Sequence, residues 1–551
     1  MAIARALAAS PARRWLAPLW VLAALGAVPL LVIVGHLGAL GSPEVGHLAR
    51  TVLPRYVLNT LALVATVTLA SSAVGAAAAW VVTSYEFPAR RLLSWLLVLP
   101  LALPPFVAAI TYSGVFDYAG PVQALFRETM GLPPGSYPVV RVRGFLSLAA
   151  LLSAVLYPYV YLTARAAFSS QSARVVEIAR SHSHGALASF WHAALPAARP
   201  ALVGGAALVA METLSEFGAS HFLGVDTLTI GVFRAWFALG SQRAAVAIAA
   251  VLLLLSAALI VMELRYRGRA RYDAPGLHHR PAMRGVLGRR GWWATAACSI
   301  PVLVGFVVPV AQMVGWTLRV GGPGPRIIAA TLTTVGLATA VSIAVVALGV
   351  AAAYAARLAA APGSGARRGT LAALLATATS GYALPAAVLA VGVATALTWL
   401  DRRIIELADW SLGVQLPLLA TGSVAALLIA YVIRFFAIGH NGGVAGLAQV
   451  SPRFDEVARS LGSGTLRTLL RAVLPPARPA LTATAVLVMI EVLKELPLTI
   501  ILRPFGVDTL ATEVFRFAGT EQVAESAPYS LIIVAIGALA VPFLMKRVAR
   551  G

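Results

Sequence analysis

Two carboxylates four residues apart, Glu212 and Glu216, lie at the end of a long apolar run. The same pair returns 279 residues later as Glu491 and Glu495, now joined by Lys494. Residues at i, i+3 and i+4 share one face of a helix, so each set points one way. Charges at membrane depth cost several kcal/mol unless they are paired or hydrated. One reading makes these faces the lining of a water-filled path or its gate. A second pairs Lys494 with Glu491 and lets the others reach the outer interface as anchors. Direct coordination of a transported ion is a third, narrower reading. Of the remaining intramembrane polar groups, Arg434 reads as snorkelling at the cytoplasmic end of its span. Tyr157, Tyr159 and Tyr161 read as packing or interfacial aromatics rather than ligands.

The elements that hold these residues are set by composition. The chain has 551 residues, of which 59% are hydrophobic and 12% charged, with a mean hydropathy of +0.84. Ordinary globular domains carry about 25% charged residues. Apolar runs near or above about 18 residues recur, each long enough to cross hydrocarbon as a helix. The expected fold is an all-α polytopic membrane protein of about 12 spans. In the first half they fall at 15–40, 56–84, 92–117, 145–168, 198–223 and 244–264. In the second they fall at 292–317, 328–356, 370–399, 414–437, 477–502 and 524–545. Domains follow as 1–264, a basic Gly/Pro-punctuated linker at 265–291, and 292–551. The apolar run near the N-terminus is too long for a typical cleaved signal peptide and reads as the first span.

A net charge of +22 suggests nucleic acid in a soluble protein, but here the basic residues gather in alternate loops. With the N-terminus in the cytoplasm, the inner segments hold roughly 29 of the 43 Lys+Arg, as insertion with the positive side inward requires. The charge is read as a topology signal with attraction to anionic membrane lipids, not nucleic-acid binding. The linker is read as a tether held inside by its arginines, and His278 and His279 within it need no metal. Cys298 stands alone, so no disulfide framework or cysteine metal site forms.

A polar segment is also duplicated. Residues 177–202 and 456–481 align without a gap, and 14 of the 26 positions are identical. Each copy has a glutamate, an Ala-Arg-Ser stretch, a glycine break and a second stretch ending in Leu-Pro. Glycine ends helices at little steric cost, and proline fits the start of the next helix. A short helix–turn–helix at the membrane surface is expected, with too little apolar area to bury itself. Six spans per half make the halves parallel repeats, which puts Glu177 and Glu456 on the same side.

The pattern Glu-x-Ala-x-x-x-Gly followed by Leu-Pro-x-x-x-Pro resembles the coupling loop of permease subunits of bacterial ATP-binding-cassette importers. The resemblance spans both halves. It is carried in the second copy by Glu456, Ala458, Gly462, Leu474, Pro475 and Pro479. In the first it is carried by Glu177, Ala179, Leu195, Pro196 and Pro200, but Ser183 replaces the expected glycine, which comes two residues later at Gly185. His182 and His184 flank that serine, and a pH or metal role for them is the minor reading. The resemblance implies a type I importer permease fold and docking on a homodimeric ATPase subunit, which holds the ATP and magnesium. It also implies an extracytoplasmic substrate-binding protein. This chain itself has no phosphate-binding loop, because neither Lys494 nor Lys546 follows a glycine. It carries no H-E-x-x-H motif either, so no cofactor of its own and no enzymatic step are expected.

The outer segments are duplicated too: Gly224–Leu228 and Gly506–Leu510 both read Gly-Val-Asp-Thr-Leu, each followed by Val-Phe-Arg. Asp226 and Asp508 are expected to cap short outer helices. This region resembles fused permeases for ferric iron, with thiamine, polyamine and phosphonate permeases as close alternatives. A gradient-driven twelve-span transporter is the competing class. It predicts conspicuous loops after the second span of each half, whereas the duplicated loop here follows the fourth.

Overall fold

The computed structural model describes residues 11–35, 43–131, 133, 142–170, 190–267, 285–320, 324–360, 368–451 and 453–548. The first half comprises α1 (Pro11–Gly35), α2 (Leu53–Ser84), α3 (Pro105–Val115, bent 92° from the preceding Arg90–Ala102), α4 (Phe145–Ser170), α5 (Leu195–Ser215) and α6 (Gln242–Arg267). The second comprises α7 (Gly288–Arg319), α8 (Arg326–Ala360), α9 (Ala386–Leu412, bent 113° from Gly369–Ala383), α10 (Val424–Ala448), α11 (Leu474–Leu493) and α12 (Val523–Val548). Among the described residues nine helices are long and apolar enough to cross a membrane, and the two bent pairs raise this to eleven. The twelfth is α5, the sequence counterpart of α11.

The bends have a common cause. Pro104 and Pro385 sit in extended backbone immediately before α3 and α9. Proline lacks the N–H that a continuing helix needs, and it forces the residue before it out of the helical region. The expected continuous spans 198–223 and 477–502 are likewise broken. α5 ends at Ser215 and a separate turn of helix runs Gly218–Leu223; α11 ends at Leu493 and restarts at Pro497–Leu502. Both breaks fall at the carboxylates.

Close backbone approach organises each half. A Cβ on Gly75 of α2 would meet the Tyr157 carbonyl of α4 at 2.8 Å, and one on Gly349 of α8 would clash with the Gly439 backbone of α10. Dispersion contacts take over from the hydrophobic effect in holding such helix pairs together within lipid. The division into halves is not respected in space, however. α1 packs against α8 and both arms of the α9 pair, while α7 packs against α3, α4 and α12. Gly26 of α1 lies against Thr377, and Gly305 of α7, 279 residues on, lies against Ala154. Each half therefore donates its first helix to the other. One continuous core, including Phe106, Phe217, Leu496 and Val514, crosses between them.

Among the described residues, segments expected inside meet one another in two groups. Tyr85–Glu86 pairs in parallel with Gly285–Val286, bringing the end of the linker onto the loop after α2. Trp15 donates its indole N–H to Thr465 Oγ1 at 3.2 Å. Arg357, at the end of α8, pairs with Asp455 at 2.7 Å. The remainder of the linker, with His278 and His279, lies outside the described residues, as do Glu177, Ala179, His182, His184 and Gly185.

Candidate translocation site

The second copy of the duplicated loop folds as the sequence predicts. A short helix spans Arg453–Ser460, Gly462 takes the left-handed conformation (φ 76°), and a second turn begins after Gly464. A residue in that conformation closes a helix C-terminus at little cost only if it lacks a Cβ. Arg357 anchors the element from below: beyond its ion pair with Asp455 it donates to the Leu447 and Val450 carbonyls at 3.0 and 2.9 Å, ending α10. Phe454, Val457 and Leu461 remain exposed around exposed Glu456, while Ala458 is half-buried. Leu474 and Pro475 are half-buried at the start of α11; in the first half Leu195 is half-buried and Pro196 exposed at the start of α5. By alignment the first half has Thr83 and Val176 where the second has Arg357 and Asp455, so its loop lacks this ionic tether.

About 25 Å along α5 from Leu195, at 1.5 Å per residue, the carboxylates open onto a cavity between the halves. Its walls include Tyr159, Glu212, Glu216, Arg434, Glu491, Lys494 and Glu495. It leaves about 60 Å³ for the centres of water molecules, room for a few waters. Glu216 and Glu495 do matching work. The first accepts the Ala219 N–H at 2.7 Å and the second the Leu498 N–H at 3.1 Å. Each closes the opening turn of the short helix that follows, satisfying a backbone donor left free at the break.

The cations are unequally shared. Lys494 Nζ pairs with Glu491 at 2.8 Å, as the anchor reading expected, with Glu212 of the other half also within electrostatic reach. Arg434 does not snorkel. It is 8% exposed, its Nε lies 3.2 Å from Glu495, and it donates a hydrogen bond to the Leu384 carbonyl at 3.1 Å. The Nε–H is not aimed at the carboxylate well enough to hydrogen-bond, so that contact is coulombic. A carboxylate on the next helix competes with the headgroups for this arginine, and a single span's sequence does not reveal that neighbour. In the first half Val155 and Ser215 align with Arg434 and Lys494. Four carboxylates from both halves thus face two cations from one. None of the other three reaches an outer interface.

Tyr157 and Tyr161 are fully buried in packing. Tyr159 differs, lining the cavity within electrostatic reach of Glu212 and Glu491; Tyr382 lies within electrostatic reach of the same two carboxylates. Among the described residues no three His, Cys, Asp or Glu side chains converge to hold a metal ion.

Just beyond Glu216 an aromatic layer joins the halves. Phe217 stacks on Phe233 with centroids 3.7 Å apart, and Phe515 packs on Phe217, His221 and Phe222 at 5.3–5.6 Å. Phe233 and Phe515 are the phenylalanines of the duplicated Val-Phe-Arg; that repetition was the signal available for them. The expected caps at Asp226 and Asp508 are corrected: the capping hydroxyls belong to Thr227 and Thr509. Asp226 instead pairs with Arg234 at 2.8 Å and Arg55 at 3.6 Å, and Asp508 pairs with Arg503. An arginine within reach outcompetes a backbone amide for a carboxylate, and leaves the amide to the neighbouring hydroxyl.

Duplicated six-helix halves with a polar cavity between them, and a surface helix below, define a membrane permease. Residues 71–268 match the family model described as binding-protein-dependent transport system inner membrane component. Over that region the chain is similar to the permeases of binding-protein-dependent transport systems, which are transporter components. The Fe(3+)-transport system permease protein FbpB 2 of Haemophilus influenzae is 23% identical over 542 residues, covering 95% of this chain and 96% of the relative. The sulfate transport system permease protein CysT of Escherichia coli is 31% identical over 145 residues, 26% of this chain and 50% of that protein. A putative 2-aminoethylphosphonate transport system permease protein, PhnV of Salmonella paratyphi A, is 27% identical over 136 residues, 25% of this chain and 51% of that protein.

Proposed function

We propose that this chain forms the membrane pathway through which ferric iron enters the cell, driven by a separate homodimeric ATPase. The ATPase, holding ATP and magnesium, docks on the Arg453–Ser460 helix and on its twin around Glu177, Ala179 and Gly185. A substrate-binding protein delivers cargo to the opposite face. Both termini lie in the cytoplasm, and residues 1–264 and 292–551 act as two lobes joined by the 265–291 tether. The exposed apolar residues around Glu456 support the docking: a helix this short cannot bury that surface alone. The Arg357–Asp455 pair supports transmission, because it ties that helix to α8 and α10.

The observation that carries the choice of cargo is the charge of the cavity. Carboxylates outnumber cations four to two, with Glu212, Glu216, Glu491 and Glu495 against Arg434 and Lys494. A path of this sign attracts a hard cation and repels sulfate or a phosphonate. Dispersed carboxylates also suit passage, since a conducted ion must be held weakly enough to leave. The end-to-end relationship to a protein named for Fe(3+) transport agrees with this.

The test is uptake into proteoliposomes by this chain with its ATPase and binding protein, using radiolabelled ferric iron and sulfate in parallel. Iron uptake that needs both partners and ATP is expected. Uptake by this chain alone along an ion gradient overturns the ATP-driven reading. ATP-dependent uptake of sulfate but not iron overturns the cargo assignment alone.

A further inference from the structure

A cleft much larger than the cavity at the carboxylates lies elsewhere in the described structure. It opens at the seam where the donated helix α1 meets α6 and α9, on the side of the membrane opposite the Trp15–Thr465 contact, and measures about 910 Å³. Such a volume lies within the range of about 300–1,000 Å³ that specific ligand sites occupy. Its walls are apolar, including Leu25, Leu31, Val246, Leu397 and Trp399. Leu31 and Trp399 stay 67% and 61% exposed, an apolar surface suited to contact with hydrocarbon.

One rim of this cleft is basic. Arg243, at the start of α6, and Arg402, where α9 leaves its apolar stretch, both line it and both are exposed. Among the described residues neither makes an ion pair with a carboxylate. Asp401, beside Arg402, is turned away and fully buried, accepting the Ala420 and Thr421 N–H groups at 2.9 and 2.7 Å. Gln242 and Thr395 are joined by a hydrogen bond of 2.9 Å at the same end. A tryptophan at this level is an interfacial anchor, which sets the arginines at headgroup height. Two guanidinium groups without counter-ions, above an apolar slot, have the charge and shape to take a phosphate joined to acyl chains.

We propose that this seam is a specific site for an anionic phospholipid, whose phosphate sits between Arg243 and Arg402 and whose chains fill the slot between α1, α6 and α9. Only one of the two related seams carries the site. The duplicated Gly240-Ser-Gln-Arg and Gly519-Thr-Glu-Gln place Gln522 where the first half has Arg243. Its occupant would bridge the donated helix to the half that receives it.

Native mass spectrometry of the purified full chain tests this, titrating phosphatidylglycerol against phosphatidylcholine with the same chains. Each arginine near an anionic headgroup contributes about 1 kcal/mol, so two give a preference for phosphatidylglycerol of about 30-fold. Arg243→Gln should reduce it to about fivefold and Arg243→Gln with Arg402→Gln should abolish it. No preference in the wild type, or a preference that survives in the double variant, overturns the proposal. A second measurement needs no variant: phosphatidylglycerol with a diazirine in its acyl chain should crosslink to peptides containing residues 25–35 and 395–402. Crosslinks confined to other segments also overturn it.

Discussion

Removing Arg434 and Glu495 together should destabilise the protein by less than the sum of the two single losses. Arg434 and Glu495 are 8% and 7% exposed, with Nε and the carboxylate 3.2 Å apart. Removing one member of a buried pair leaves an uncompensated charge and costs about 3–5 kcal/mol. The adjoining cavity admits a few waters, which places Arg434→Met at the lower end, about 3 kcal/mol. That variant also frees the Leu384 carbonyl from its hydrogen bond, adding about 1 kcal/mol. Glu495→Gln keeps an oxygen for the Leu498 N–H and removes only the charge, so it isolates the ionic part. The double variant has no stranded charge, and a coupling of about 2 kcal/mol should appear. The assay is reversible unfolding of the purified full chain in mixed micelles, with the four proteins compared at one pH. Single losses that add within about 0.5 kcal/mol would show the two groups to be independent and would refute the pairing.

Further outcomes follow from the same structure. Gly349→Val should abolish folded protein, because a Cβ there meets the Gly439 backbone, whereas Gly336→Ala, with nothing within 4 Å of its Cβ, should fold normally; size-exclusion profiles in detergent distinguish them. Glu456→Lys should abolish stimulation of the partner ATPase while membrane insertion stays intact, and stimulation at the wild-type level would contradict the docking role. Phe505, exposed at the tip of its outer loop, should be an anchor for the binding protein. Phe505→Ala should weaken that complex about tenfold or more, as loss of an aromatic hot spot does, with unchanged thermal stability; unchanged affinity would contradict it.

How much of this was readable from the chain depended on whether a feature is local. Spans announce themselves because twenty apolar residues in a row have no other economical solution, and the duplicated loop stood out because polar segments do not resemble each other by chance. The Glu212/Glu216 and Glu491/Glu495 faces were legible from helical spacing alone. The break in that helix was not, since nothing between Ser215 and Gly218 forbids helix; a carboxylate closing the next turn makes the break affordable only in three dimensions. Arg434 was misplaced for the same reason. Its partner lies 61 residues away in sequence, by subtraction of 434 from 495, and only packing brings them together. The exchange of α1 and α7 between the halves is likewise a property of surfaces, not of either helix, because both are apolar enough to sit anywhere in the bilayer.

The central claim is that the two copies of the duplicated loop stand on the same side of the membrane. Cysteines at Glu177→Cys and Glu456→Cys, each in a background with the chain's single cysteine removed by Cys298→Ser, can be probed with a maleimide that does not cross lipid. Both positions should label in inverted membrane vesicles and remain protected in intact cells. Labelling of one position from outside and the other from inside would contradict the account.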